Sequence, residues 1–153
     1  MKQAEHLEVA RQNQDLAERL SKADDEASWR WAVVVSFYSA NHYVHAAFDR
    51  NGDDLPQDET RQLSRGGQIS VSYRHPQNWS RRPGGTRNSL NLLIKRHADL
   101  VPLADLFDDM FEDSRAARYG LDGSTLTRPT KQEAEKAISR LQSLVSIIIP
   151  YLR

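Results

Sequence analysis

The sequence predicts an all-α fold, an antiparallel bundle of four to five helices with a short β or loop insertion between the second and third long helices. Three observations lead there. Apolar residues recur at helical spacing over four long stretches, the one period within 50–86 is a short alternation from Ile69 to Arg74, and 153 residues suffice for one domain. With 39% hydrophobic and 27% charged residues, and few Pro and Gly, the chain has the composition of a folded globular unit.

The first helix is expected over 2–21, marked by Leu7, Ala10, Gln14, Ala17 and Leu20. Its apolar stripe is thin, so 1–22 reads as a peripheral helix of the single domain 1–153. Asp24 is the expected N-cap of a second helix running to about 49, in which Val33, Phe37, Ala40, Val44 and Phe48 recur at spacings of four and three. Asn51 and Gly52 stop it. From 50 to 86 the composition turns to Gly, Pro, Ser and Arg, and a short helix near 57–65 is expected before a strand or hairpin in which Ile69, Val71 and Tyr73 alternate with polar residues.

Thr86 or Asn88 is positioned to cap a helix to about 97 with Leu90, Leu93 and Ile94 inward. Pro102 opens the next, where Leu103, Leu106, Phe107, Met110, Phe111 and Ser114 trace one face up to Gly120. Thr130 and Glu133 form a capping box for the last helix, whose buried side carries Ala134, Ala137, Ile138, Leu141, Leu144, Val145 and Ile148. Ile147, Ile149 and Tyr151 fall on the opposite side, which predicts apolar surface for a homodimer.

Charge is balanced, 21 basic against 21 acidic residues, yet it is segregated. Residues 61–97 hold Arg61, Arg65, Arg74, Arg81, Arg82, Arg87, Lys95 and Arg96 with no acid, whereas 98–114 hold six acids and no Lys or Arg. The basic insertion, interleaved with Tyr73 and Trp79, has the chemistry to hold a phosphate backbone and stack bases. Arg74, Trp79, Arg81, Arg82, Arg87, Lys95 and Arg96 are therefore the candidate nucleic-acid contacts. The competing reading is that these arginines neutralise the acidic face of 99–113.

The absence of cysteine excludes disulfides, thiolate metal sites and a cysteine nucleophile, and fits a cytoplasmic location. No stretch approaches the roughly 18 apolar residues of a membrane span, and the N-terminal residues lack the apolar core of a secretory signal. No phosphate-binding glycine loop, Gly-x-Ser-x-Gly elbow or His-Glu-x-x-His motif occurs.

Tyr38, His42, His45 and Asp49 share one face of the second helix. That face is either an active-site seam or an exposed edge with His45 paired to Asp49. No third metal ligand is announced by spacing, so no metal and no cofactor are expected. Arg115 and Arg118 close their helix three residues apart, either as a clamp for a phosphate or as helix-end cations.

The segments SFYSANHYVHAAF (36–48), TRNSLNLLIKRH (86–97), LADLFDDMFEDSRAARYG (103–120) and KQEAEKAISRLQSLVSII (131–148) resemble the HEPN superfamily, the nucleotide-binding helical domains of higher eukaryotes and prokaryotes. The likeness covers about two-thirds of the chain and is to a prokaryotic branch of uncharacterised members. It implies a helical bundle that often dimerises, in toxin–antitoxin, antiviral-defence or RNA-processing systems. Active members are metal-independent ribonucleases whose signature is an Arg, a polar residue and, a few positions on, a His. Arg87 and Asn88 look like its start, but Leu92, Leu93 and Ile94 stand where the histidine belongs. The resemblance therefore implies a non-catalytic module that self-associates and binds RNA, a nucleotide or a partner protein of the same system. The alternative is a ribonuclease with a rearranged site, in which His42 or His45 moves the proton and Arg87, Arg115 or Arg118 stabilises the charged intermediate.

Overall fold

The computed structural model describes residues 3–50, 59–62, 68–71, 90, 97–119 and 129–152. They form an all-α bundle in which four long helices, α1 (Gln3–Ser21), α2 (Glu26–Arg50), α3 (Val101–Tyr119) and α4 (Lys131–Ile148), pack around α2. None of these helices is long and apolar enough to cross a membrane.

The connection from α1 to α2 is short, so the two helices lie antiparallel. The cap of α2 is Asp25, one residue after the Asp24 expected from the sequence. Ser28 donates its backbone N–H to Asp25 Oδ1 at 2.8 Å and its hydroxyl to Oδ2 at 2.7 Å. These two bonds, the hydroxyl's first, hold the Asp25 carboxyl below its ordinary pKa. Asp24 instead lies 3.8 Å from Lys131 at the start of α4.

Although expected to be peripheral, α1 lies along α2 in the most extensive helix–helix contact among the described residues. Ala10 and Ala17 are wholly buried there, with His6 and Ser21. Small side chains let the two backbones approach closely, so burial does not require the leucines a hydropathy pattern registers. Ser39 Oγ takes advantage of that closeness, donating to the Ala10 carbonyl at 2.7 Å.

Beyond this contact the core is conventional. Phe37, Val44, Leu90, Leu100, Leu103, Phe107, Met110, Leu141, Leu144 and Ile148 belong to one cluster that Ala10 of α1 joins, and Val33, Val34, Ala117 and Ala137 form a second. The Phe37 and Phe107 rings meet at 5.4 Å. A single 3-10 turn, Ala98–Leu100, leads into α3, and Pro102 occupies the first turn, where a missing N–H costs nothing. The capping box of α4 is complete: Thr130 Oγ1 accepts from the Glu133 N–H, and Glu133 Oε2 from the Thr130 N–H, each at 3.3 Å.

Three expectations are corrected. Phe111, expected in the core, is 39% exposed at the margin of the α3 stripe and touches Phe37 only edge to face, at 5.5 Å. Of the residues expected on an open face, Ile149 is 40% exposed, but Ile147 and Tyr151 are partly buried against the main core; past Ile148 the 3-10 turn Ile149–Tyr151 changes the rise and turns Tyr151 inward. Between α2 and α3, the expected short helix near 57–65 is extended at Glu59–Gln62, which pairs antiparallel with Gln68–Val71 in the register Glu59↔Val71 to Gln62↔Gln68. A helix of two turns is marginal by itself, and a strand partner supplies backbone bonds that it lacks. Of the helix expected over 87–97, Leu90 and His97 are described: Leu90 is helical and buried, and His97 is not helical and precedes the turn Ala98–Leu100.

Candidate functional site

One face of α2 meets two different neighbours along its length. At Tyr38 it meets the last turn of α3. Arg118 extends back along its own helix, Nε donating to the Ser114 carbonyl at 3.4 Å, and Nη1 donates to the Tyr38 hydroxyl at 3.0 Å. The guanidinium carbon stands 5.7 Å from the Tyr38 ring centroid, within cation–π range. Residues eighty positions apart thus make a fixed cation-and-aromatic junction, and Tyr38 is 39% exposed in it.

Trp31 precedes Tyr38 by seven residues and Phe111 precedes Arg118 by seven, so each pair shares a face of its helix. Trp31 is 54% exposed. The edge where α2 and α3 meet therefore carries three accessible aromatic rings beside a guanidinium, with Arg115 exposed on the same turn as Arg118.

One to two turns beyond Tyr38 the same face meets α1. His6 Nδ1 and His42 Nδ1 are 3.0 Å apart, and the His6 ring centroid is 5.2 Å from those of both His42 and His45. His42 and His45 are separated by 6.4 Å. His6 and His45 are 4% and 5% exposed, and His42 is half-buried. Burial lowers the pKa of His42; burial first, then the charges of His6 and His42, lowers that of His45 to about 3. His45 is thus far too weak a base to draw a proton from a hydroxyl near neutrality. His42 keeps an accessible edge and an uncharged ring.

Among the described residues no group of three or more His, Asp or Glu is arranged to hold a metal ion. The short His6–His42 separation is a hydrogen bond, in which one ring is the Nδ1–H tautomer and the other accepts.

Two carboxylates of the acidic run are paired from α4: Arg140 pairs with Asp113 and lies 3.5 Å from Asp109. Asp99 accepts from the Tyr151 hydroxyl. A cavity of about 270 Å³ between α2, α3 and α4 has Glu112, Asp113, Glu133 and Lys136 at its walls, a balance that disfavours anions.

Of the residues singled out from the sequence, Tyr38 and Arg118 are brought together, and His42 and His45 are brought to His6. Arg74, Trp79, Arg81, Arg82, Arg87, Lys95 and Arg96 lie outside the described residues. His6 was missed because nothing in its neighbourhood marks it; its position four before Ala10 on the small-residue face is its one local signal. Trp31 and Phe111 were missed as surface groups because an aromatic at helical spacing reads as core. Compared with models of known families, with curated proteins and with solved structures, the chain matches none.

Proposed function

We propose that the chain is a self-associating, HEPN-like helical module of a prokaryotic defence, toxin–antitoxin or RNA-related system, and that it binds single-stranded RNA without cleaving it. The observation that carries this reading is the Tyr38–Arg118 junction. A guanidinium steadied by the Ser114 carbonyl and the Tyr38 hydroxyl is preorganised for a phosphate oxygen, and exposed rings beside it offer faces on which bases stack. The segments quoted from α2, α3 and α4 support the HEPN-like affiliation, and the basic run 61–97 supplies further charge for the backbone of the strand. Val101, at the opposite end of α3 from Arg118, and Ile149 are also exposed, and this apolar area favours a second copy as partner.

The test is fluorescence anisotropy with a labelled single-stranded RNA over a salt series in EDTA, followed by analysis of RNA length. Arg118→Ala is expected to weaken binding and flatten the salt dependence by about 0.7 in log–log slope for the lost phosphate contact. Tyr38→Ala is expected to weaken it by about 1–3 kcal/mol with the slope unchanged, since stacking releases no counterion. Absence of binding by the wild-type chain overturns the reading. EDTA-resistant cleavage that is lost in a folded His42→Ala variant replaces it with the ribonuclease alternative.

A further inference from the structure

We propose that His6, His42 and His45 form a proton-operated latch that fastens the N-terminal half of α1 to α2 near neutrality and releases it in mild acid. A single proton lies between two ring nitrogens at this contact. His6 and His42 approach through Nδ1 at 3.0 Å, a contact that is a hydrogen bond only while one of those nitrogens has a lone pair to offer. Protonating both rings sets one N–H against another and converts the bond into repulsion between two like charges. His45, 5.2 Å from His6 by ring centroids, makes any charge on that pair costlier still.

The position of the cluster gives it leverage. From the Ala10 carbonyl onward α1 is held by groups that do not titrate in mild acid: Ser39 Oγ on that carbonyl, Tyr43 donating to Gln14 Oε1 at 2.9 Å, and buried Ala17 and Ser21. The Tyr43 phenol has its pKa raised, chiefly by burial. Toward the N-terminus, beside the three imidazoles, Gln3 adds a fastening that does not titrate, its amide donating to the Ala46 and Leu152 carbonyls at 3.3 and 3.4 Å. Acid therefore acts on one end of the helix.

The titratable groups on the surrounding elements are Glu5 and Glu8 of α1, both exposed, and Tyr43 of α2. Asp49 follows His45 by one turn in the sequence, and at the C-terminal end the Tyr151 phenol donates to Asp99. Charge on His6 or His42 opposes the protonation of His45, in addition to its burial.

The experiment is amide hydrogen exchange on the full chain near neutrality and at about pH 5, corrected for the intrinsic rate, with imidazole titration by NMR on the same sample. Within residues 3–10, the amides that donate inside α1, those of 7–10, are expected to lose about ten-fold or more of their protection in acid, while those that donate inside 131–148 keep theirs. In His6→Gln, where His42 has no second imidazole to face at Nδ1, that difference is expected to shrink. Equal loss of protection in all four helices, or imidazoles titrating near 6.5 with protection at 3–10 unchanged, overturns the proposal. Should His6→Gln fail to fold, the wild-type comparison of 3–10 with 131–148 decides.

Discussion

Helices α1 and α4 both pack on α2, and they are held there in opposite ways. From α4 come Leu141, Leu144 and Ile148, all fully buried, so its attachment scales with apolar area. From α1 come two alanines, a serine and a histidine, so its attachment rests on close approach and on particular hydrogen bonds. Area is insensitive to pH and tolerant of small shifts; a close helix pair stitched by imidazoles and a hydroxyl is neither. The same bundle thus combines a robust side with a conditional one.

The largest expected effect tests the robust side. Leu144→Ala removes a fully buried side chain and is expected to cost about 2–5 kcal/mol by denaturant unfolding. On the conditional side the reverse substitution does the damage: Ala10→Leu has no room between α1 and α2 and is expected to cost about 1–3 kcal/mol. An Ala10→Leu chain as stable as wild type breaks the comparison, since it means that α1 does not lie close.

Next in size is the dependence on pH. The folded pKa of His45, about 3, lies below the ordinary 6.5 of an unfolded histidine. The unfolded chain therefore takes up the proton first. Stability from this group is complete above 6.5 and is lost as the pH falls toward 3, by at most about 1.4 kcal/mol per pH unit. Urea unfolding at a series of pH values is expected to show that decline in wild type and a shallower one in His45→Phe. A slope of the opposite sign means that His45 is charged in the folded chain.

The smallest effect concerns an end rather than a face. Thr130→Ala removes one half of the capping box of α4 and is expected to cost about 1 kcal/mol, independent of pH between 5 and 8. It serves as a control, because a pH-dependent loss there means that acid acts on α4 as well as on α1.

What was legible in the residues was what periodicity within one segment encodes. Val33, Phe37, Ala40 and Val44 announced the buried face of α2, Leu141, Leu144 and Ile148 that of α4, and Thr130 with Glu133 its start. Phe111 misled because its spacing matches that of Phe107 and Met110, yet the stripe it extends is wider than the partner helix covers. The placement of α1 was hidden for the converse reason: alanines carry too little hydrophobicity to mark a face that nonetheless buries completely.

The sequence by itself determined where the long helices run, how they are capped and which side most of them bury, since each of these depends on residues within a few turns of one another. Which side chain stands opposite which was decided only on packing. Tyr38 and His42 occupy nearly the same helical face, and nothing local separates their roles. The crossing of α2 with α3 gives one of them an arginine from eighty residues away, and its crossing with α1 gives the other a histidine from thirty-six residues away. Helix periodicity specifies an orientation about one axis, whereas a site requires the relative placement of two axes, and that is a property of the assembled core.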